Sequence, residues 1–174
     1  MRGAYIDEKV ANMSFEEWRE YKREQERIRT HGAERINAYH ELYDIYYALS
    51  RYCFNGFFSG SHYVPMYFIP EDLKDRDANG LYGYGVIMID RDYYEAHGAD
   101  ESMINTLHHE MIHWMCDHND VKDTEGEFHL EAFAEACKEY GGQCEYEDSV
   151  FGYSNSSVTA ENMARIKRHL KKGR

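Results

Sequence analysis

Residues 102–116 read SMINTLHHEMIHWMC, and this stretch decides how the rest of the chain can fold. Its apolar residues recur at three- and four-residue steps and cover most of the circumference of a helix. They are Met103, Ile104, Leu107, Met111, Ile112, Trp114 and Met115. A helix that is apolar on nearly all sides is typical of a core element. We therefore predict a buried helix whose first turn is capped by Asp100 or Ser102.

The same stretch contains His109-Glu110-Met111-Ile112-His113, an H-E-x-x-H pattern. On a helix, residues four apart lie one above the other, so His109 and His113 direct two imidazoles at one point. Two neutral imidazoles suit a zinc ion, and Glu110 lies one step round the helix, within reach of a water molecule at that ion. The pattern predicts a zinc hydrolase in which Glu110 is the general base.

A catalytic zinc site needs a third protein ligand and an open fourth position. The run 128–140 has helical spacing and is closed by Gly141-Gly142, a helix C-terminal signal. His129 lies at its start, sixteen residues after His113, and we predict it as the third ligand. Glu131 and Glu135 are the alternatives, because either would complete a thermolysin-type site with two histidines and a glutamate.

Three other side chains near the motif are not favoured as ligands. His118 follows the end of the helix and is expected to be exposed, whereas His108 is rotated about 100° from His109 and is expected to pack. Cys116 is predicted to be a buried thiol. Tyr153 is a candidate for stabilising an oxyanion, although packing is the favoured role.

The remaining elements predict an α+β fold. Upstream of the motif we expect a helix over Ala33–Tyr52 with an aromatic face and a structural His40. Strands are expected over Tyr63–Ile69 and Tyr82–Ile89. Pro65 cannot donate a hydrogen bond, so the first strand is expected at a sheet edge or at a bulge. The sheet is predicted to be short and of the antiparallel type. Residues 150–153 predict a short strand or flap.

The two ends of the chain are rich in charge. The sequence SFEE at residues 14–17 fits a capping box, so we predict a charged helical arm within residues 1–32. The catalytic part is assigned to residues 33–158. Thr159 is expected to cap a final basic helix over Ala160–Lys171, within residues 159–174. Arg165 to Arg174 form a cationic tail that suits a nucleic acid or an acidic partner, or the dipole of the helix end.

The composition narrows the class of protein. The 174 residues are enough for one domain with a substantial core, and the net charge of −12 argues against phosphate binding over the whole surface. No apolar run approaches the roughly 18 residues of a membrane span, and residues 1–10 do not read as a secretory signal. With no C-x-x-C pair, the four cysteines are expected to be reduced thiols in a cytoplasmic protein.

The run from His109 to His113, the polar loop containing Gly126-Glu127, and the sequence FHLEAF at residues 128–133 closed by Gly141-Gly142 resemble the SprT-like zinc metallopeptidases. This family includes the Spartan-type proteases that degrade proteins crosslinked to DNA, and phage-encoded relatives. The resemblance covers about residues 36–142. It implies a small zincin-like core with N-terminal helices, in which the H-E-x-x-H helix is followed by a helix that carries the third zinc ligand. Cys137 and Cys144 do not make the zinc ribbon that many members carry.

The sequence therefore predicts a zinc-dependent endopeptidase in which His109, His113 and His129 hold Zn²⁺ and Glu110 is the catalytic base. The alternative from another class is a non-catalytic interaction protein that zinc stabilises. A metal-dependent nuclease is less favoured, because hard cations prefer carboxylate clusters to paired imidazoles.

Overall fold

The structure is a computed structural model of the chain, and it describes residues 14, 33–38, 40–59, 62–74, 78–83 and 85–172. This part contains five α-helices: α1 Glu41–Cys53, α2 Arg91–His97, α3 Glu101–His118, α4 Glu131–Glu139 and α5 Ala160–Lys172. Its strands are β1 Met66–Phe68, β2 Gly80–Gly83, β3 Val86–Ile89, β4 Thr124–Glu125, β5 Phe128–His129, β6 Gly142–Glu145 and β7 Asn155–Val158. The fold is α+β, as the sequence predicted. The predicted N-terminal helical arm lies outside the described residues.

Helix α3 forms the centre of the core. The carboxylate of Asp100 accepts a hydrogen bond from the Met103 amide at 3.0 Å, so Asp100 is the predicted cap. Met103, Ile104, Leu107, Met111 and Ile112 are all completely buried. Helices α1, α2 and α4 and strands β2, β3 and β7 pack around α3, as its apolar circumference predicted.

A three-stranded sheet in the order β1-β3-β2 lies beside α3. Strand β1 pairs with β3 in parallel and β2 pairs with β3 antiparallel. Strand β1 is therefore at one end of the strand order, as predicted, although the extended segment around Arg35 hydrogen-bonds along its outer side. The predicted single strand Tyr82–Ile89 is wrong, because the chain turns between β2 and β3 and Gly85 has φ +80. A positive φ at this glycine allows a hairpin between β2 and β3. The apolar composition of the run gave no sign of this turn.

Helix α1 begins eight residues later than predicted. Arg35 lies in an extended segment that bridges Tyr67, and the helix starts at Glu41. His40 caps it, since its Nδ1 accepts a hydrogen bond from the Leu42 amide at 3.2 Å. Tyr43 and Tyr46 of the aromatic face are completely buried, whereas Tyr47 is exposed. The Tyr43 hydroxyl accepts a hydrogen bond from the Met66 amide at 3.1 Å. This contact attaches the helix to β1.

The C-terminal part closes the core on the other side of α3. Strands β6 and β7 form an antiparallel hairpin, and α5 follows with Met163 and Ile166 buried in the same core as α1 and α3. The prediction of a final helix is correct to within one residue. Residues 150–153 form a turn rather than a strand. The division of the chain at residues 32 and 158 stays a prediction.

None of the helices in the described part of the chain combines the length and the apolar character that crossing a bilayer requires.

Candidate metal centre

Three imidazoles meet at one point beside α3. His109 and His113 project from successive turns of the helix, and their Nε2 atoms are 3.0 Å apart. His129 approaches from β5, with its Nε2 3.1 Å from that of His109 and 3.2 Å from that of His113. Among the described residues, these three form the one group of histidine, cysteine and acidic side chains whose geometry suits a metal ion.

His129 is held by a strand and not by a helix. We predicted it at the start of a helix, but α4 begins at Glu131 and His129 belongs to the β4–β5 hairpin. Its amide donates to the Phe151 carbonyl at 2.9 Å, and its carbonyl accepts from the Tyr153 amide at 3.1 Å. Gly152 lies between these two contacts with φ +67, and a Cβ there would collide with the His129 carbonyl. Glycine is therefore required where the chain passes His129.

The outer nitrogen of each imidazole has a hydrogen-bond partner. His113 Nδ1 donates to the Asp123 carboxylate at 2.6 Å, and His129 Nδ1 donates to the Phe151 carbonyl at 3.2 Å. His109 Nδ1 lies 2.8 Å from the Ser156 hydroxyl, which can accept from it. Carboxylate and carbonyl oxygens only accept hydrogen bonds, so the hydrogens of His113 and His129 are on Nδ1.

This tautomer leaves Nε2 of a neutral imidazole with a lone pair and no hydrogen. The lone pairs of His113 and His129 then face each other across 3.2 Å, and that of His109 joins them when its Nδ1 donates to Ser156. Such an arrangement is repulsive by itself. A cation at the centre removes the repulsion, and neutral imidazole nitrogens are ligands that zinc prefers.

The spacing of the nitrogens also fits zinc. Bonds of about 2.1 Å in a tetrahedral site separate two nitrogens by about 3.4 Å. The observed separations of 3.0 to 3.2 Å are slightly shorter, so an ion fits after a small outward movement of the rings. All three histidines are half-buried, so each keeps some contact with solvent. The residues present therefore fit a three-ligand zinc centre with an open position.

Burial favours the neutral form of His109 and His129. Desolvation lowers the pKa of His109 well below its usual range, and neighbouring His113 and His129 lower it further. Burial also lowers the pKa of His129, with His113 as the next cause. A proton on either ring would place a charge in a partly apolar site close to other imidazoles. The neutral form, which binds metal, is thus the favoured one.

Glu110 follows His109 on α3 and is buried, with 5% of its surface exposed. Its side chain lies against Gly80 of β2, where an added Cβ would come within 2.9 Å of the carboxylate Oε1 and 2.8 Å of the Thr106 methyl group. Gly80 therefore provides the space that the Glu110 side chain occupies. The Tyr82 hydroxyl donates to Asp117 at 2.7 Å and ties the same strand to α3.

The structure does not bring the alternative ligands into the group. Glu131 and Glu135 are exposed on α4, and His118 is exposed at the end of α3, as predicted for His118. Cys116 is buried, and burial raises its thiol pKa to about 12.

His108 is completely buried on the other side of α3, where its Nε2 donates to the Tyr140 carbonyl at 2.9 Å and its ring packs on Phe54. This is the packing role that the sequence predicted. Tyr153 packs its ring on Tyr146, with centroids 5.3 Å apart, and its role in stabilising an oxyanion stays a prediction.

The sequence did not reveal the residues that orient the imidazoles. Asp123 lies in the polar loop ten residues after His113, and Ser156 lies 47 residues after His109. An acidic residue in the loop after an H-E-x-x-H helix is the one signal that was present for Asp123. No spacing pattern pointed to Ser156 or to the Phe151 carbonyl.

We expect Asp123→Asn to weaken zinc binding about 10- to 100-fold, the usual effect of removing the carboxylate behind a ligating histidine. The substitution removes the charge that holds the Nδ1 hydrogen of His113. Competition with a chelating dye measures the affinity. Asp120→Asn is the matched control, because Asp120 is exposed in the same loop. Equal affinities for the two variants would contradict the orienting role of Asp123.

The chain matches no protein-family model, and no curated protein or solved structure is similar to it. Its function is therefore inferred from the geometry of its own residues.

Proposed function

We propose that the protein is a zinc-dependent endopeptidase. The observation that carries this proposal is the convergence of three imidazole Nε2 atoms beside a helix that also buries Glu110, the residue after His109. The three histidines are half-buried and not fully enclosed, which suits a site that must admit a substrate. His109, His113 and His129 are the proposed ligands, and Glu110 is the proposed base.

When bound, zinc would polarise the scissile carbonyl and lower the pKa of water towards neutrality. The protein's own residues then handle the proton. Glu110 takes the proton of the attacking water and passes it to the leaving amine, as a general base and then a general acid. Asp123, Ser156 and the Phe151 carbonyl keep the three imidazoles in the tautomer that leaves Nε2 free.

The free edge of the sheet supports a peptide substrate. Strand β2 is the outer strand of the sheet on the side of Glu110, and no other described strand pairs with its outer side. An extended peptide can add to such an edge through main-chain hydrogen bonds, which recognise any sequence. A peptide bound there would pass the side chain that is proposed to activate water.

We also propose that these elements form a small zincin-like core of the SprT-like type. An α+β fold with a three-stranded sheet, a buried H-E-x-x-H helix and a third histidine after a loop supports this assignment. The cysteines at 53, 116, 137 and 144 are all free, which suits the reducing cytoplasm as the proposed location.

The basic end of α5 supports a nucleic acid as an additional partner. Arg165, Arg168 and Lys172 line a cleft of about 470 Å³ together with Arg51 of α1. Binding of single-stranded DNA, and its effect on proteolysis, would test this part of the proposal. An effect of DNA would favour a Spartan-like role, and cleavage that is indifferent to DNA would favour a general peptidase.

Metal removal tests the central proposal. We expect one zinc per chain, and we expect zinc at about 100 times its Kd to stabilise the fold by about 2.7 kcal/mol. This corresponds to a rise in Tm of about 5–10 °C for a chain of this size. Calcium and magnesium should give no shift, because they prefer oxygen ligands.

Chelation should abolish cleavage of an unfolded protein substrate, and zinc should restore it. Zinc binding without cleavage would instead support the non-catalytic interaction protein. A chain that binds no zinc would refute both functions.

A further inference from the structure

Exposed apolar side chains are concentrated beside the metal centre. In the described part of the chain, five large hydrophobic residues are exposed, and three of them lie within residues 146–153, which we term the rim loop. They are Tyr146, Val150 and Phe151, with 53%, 58% and 40% of their surface exposed. Clustered exposed apolar residues mark binding surfaces, whereas single ones do not.

The rim loop has an ordered structure and is attached to the metal centre. The Asp148 carboxylate accepts hydrogen bonds from the Val150 and Phe151 amides, both at 2.8 Å. The Gly152 amide donates to the Asp148 carbonyl at 2.9 Å, and the Phe151 carbonyl accepts from both the amide and the ring of His129. The backbone that presents the apolar side chains is therefore the backbone that orients the proposed third ligand.

The chain segments that carry Asp123, His129 and the start of the rim loop are strongly acidic. Residues 117–148 contain eleven acidic side chains and two lysines, Lys122 and Lys138, so most of the net charge of −12 lies in the elements that carry Asp123 and His129. Glu125, Glu127 and Glu145 are exposed there. A negative surface potential favours positively charged ligands and speeds their association.

We propose that the rim loop is the substrate-docking wall of the metal centre, and that it selects unfolded cationic polypeptide segments with a large apolar side chain near the scissile bond. The apolar side chain packs on Tyr146 and Val150, and flanking lysine or arginine residues are attracted by the acidic surface. The cleavage part of this inference rests on the proposed endopeptidase function, whereas the docking part can be measured without any cleavage.

Peptide binding to the zinc-loaded Glu110→Gln protein tests the docking. Three fluorescent peptides of equal length suffice: one with a central phenylalanine flanked by lysines, one with alanine in place of phenylalanine, and one with glutamates in place of lysines. Fluorescence anisotropy should show binding of the first peptide that is roughly tenfold tighter than that of the second, the order expected for burying an aromatic ring. The third should bind more weakly still, and salt should weaken the first.

Variants of the loop locate the site. In the Glu110→Gln protein, Val150→Ser and Tyr146→Ser should each weaken binding of the phenylalanine peptide several-fold and leave the alanine peptide unchanged. Tyr47→Ser is the matched control, because Tyr47 is a tyrosine with 42% exposure on α1. Equal binding of all three peptides, or equal effects of Tyr146→Ser and Tyr47→Ser, would overturn the proposal.

The same peptides separate this inference from the proposed function. If they bind in the expected order and the parent protein with zinc cleaves none of them, docking is supported and the endopeptidase function is refuted. If the parent protein cleaves all three at equal rates, the function is supported and the docking wall is refuted.

Discussion

Glu110→Gln should reduce peptide hydrolysis by a factor of about 10² to 10⁴, the usual contribution of a general base, while zinc stays bound. The reason is chemical, because glutamine matches glutamate in size but cannot accept the proton of the attacking water at neutral pH. The side chain is 5% exposed and fits against Gly80 and Thr106, so an isosteric amide preserves the packing. The initial rate of cleavage of an unfolded protein, together with the zinc content, measures the effect.

Glu135→Gln is the matched control for this substitution. Glu135 lies on the neighbouring helix α4, is exposed, and undergoes the same change of charge. It should retain the rate of the parent protein. Full activity of Glu110→Gln would refute the mechanism. A loss of zinc from this variant would show that Glu110 contributes to zinc binding and not to proton transfer.

The central helix and two of the three proposed ligands were predictable because their signal is local. The apolar circumference of residues 103–115 fixes α3 as a core helix, and the four-residue spacing of His109 and His113 then fixes their common direction. The cap at Asp100 follows from the residue types that precede the helix. These features depend on short stretches of chain, so tertiary contacts did not alter them.

The errors lie where tertiary contacts decide the structure. Residues 82–89 have the composition of one strand, but the turn at Gly85 divides them into two antiparallel partners. The segment before α1 has helical spacing, yet Arg35 pairs with Tyr67 and the helix begins only at Glu41. In both places, pairing with another strand outweighs the local pattern.

The orientation of the imidazoles was not predictable for the same reason. Asp123, Phe151 and Ser156 come from three separate segments, and each contacts a different histidine. The chain must fold around α3 before any of them reaches its partner. The proposed ligands can thus be read from spacing along the sequence, but the tautomers that would let them bind a metal depend on the assembled fold.

His129→Ala should weaken zinc binding by more than about a hundredfold, beyond the 10- to 100-fold that follows the loss of an outer hydrogen-bond partner. It removes one of the three nitrogens outright and leaves two, which is fewer than catalytic zinc sites use. The backbone of β5 should persist, because the bonds from the His129 amide to Phe151 and from the Tyr153 amide to the His129 carbonyl do not involve the ring. Thermal unfolding of the metal-free proteins should therefore differ little, and competition with a chelating dye then reports on zinc affinity alone.

Three single variants distinguish His129 from the ligands that the sequence left open. His118→Ala removes an exposed histidine five residues after His113, and Glu131→Ala and Glu135→Ala remove the exposed carboxylates of α4. Each should bind zinc as tightly as the parent protein, since none of these side chains belongs to the group of three imidazoles. If His129→Ala retained the parent affinity and Glu131→Ala or Glu135→Ala lost it, the site would be of the two-histidine and one-glutamate type, and the contact between the rim loop and His129 would have no part in holding the metal.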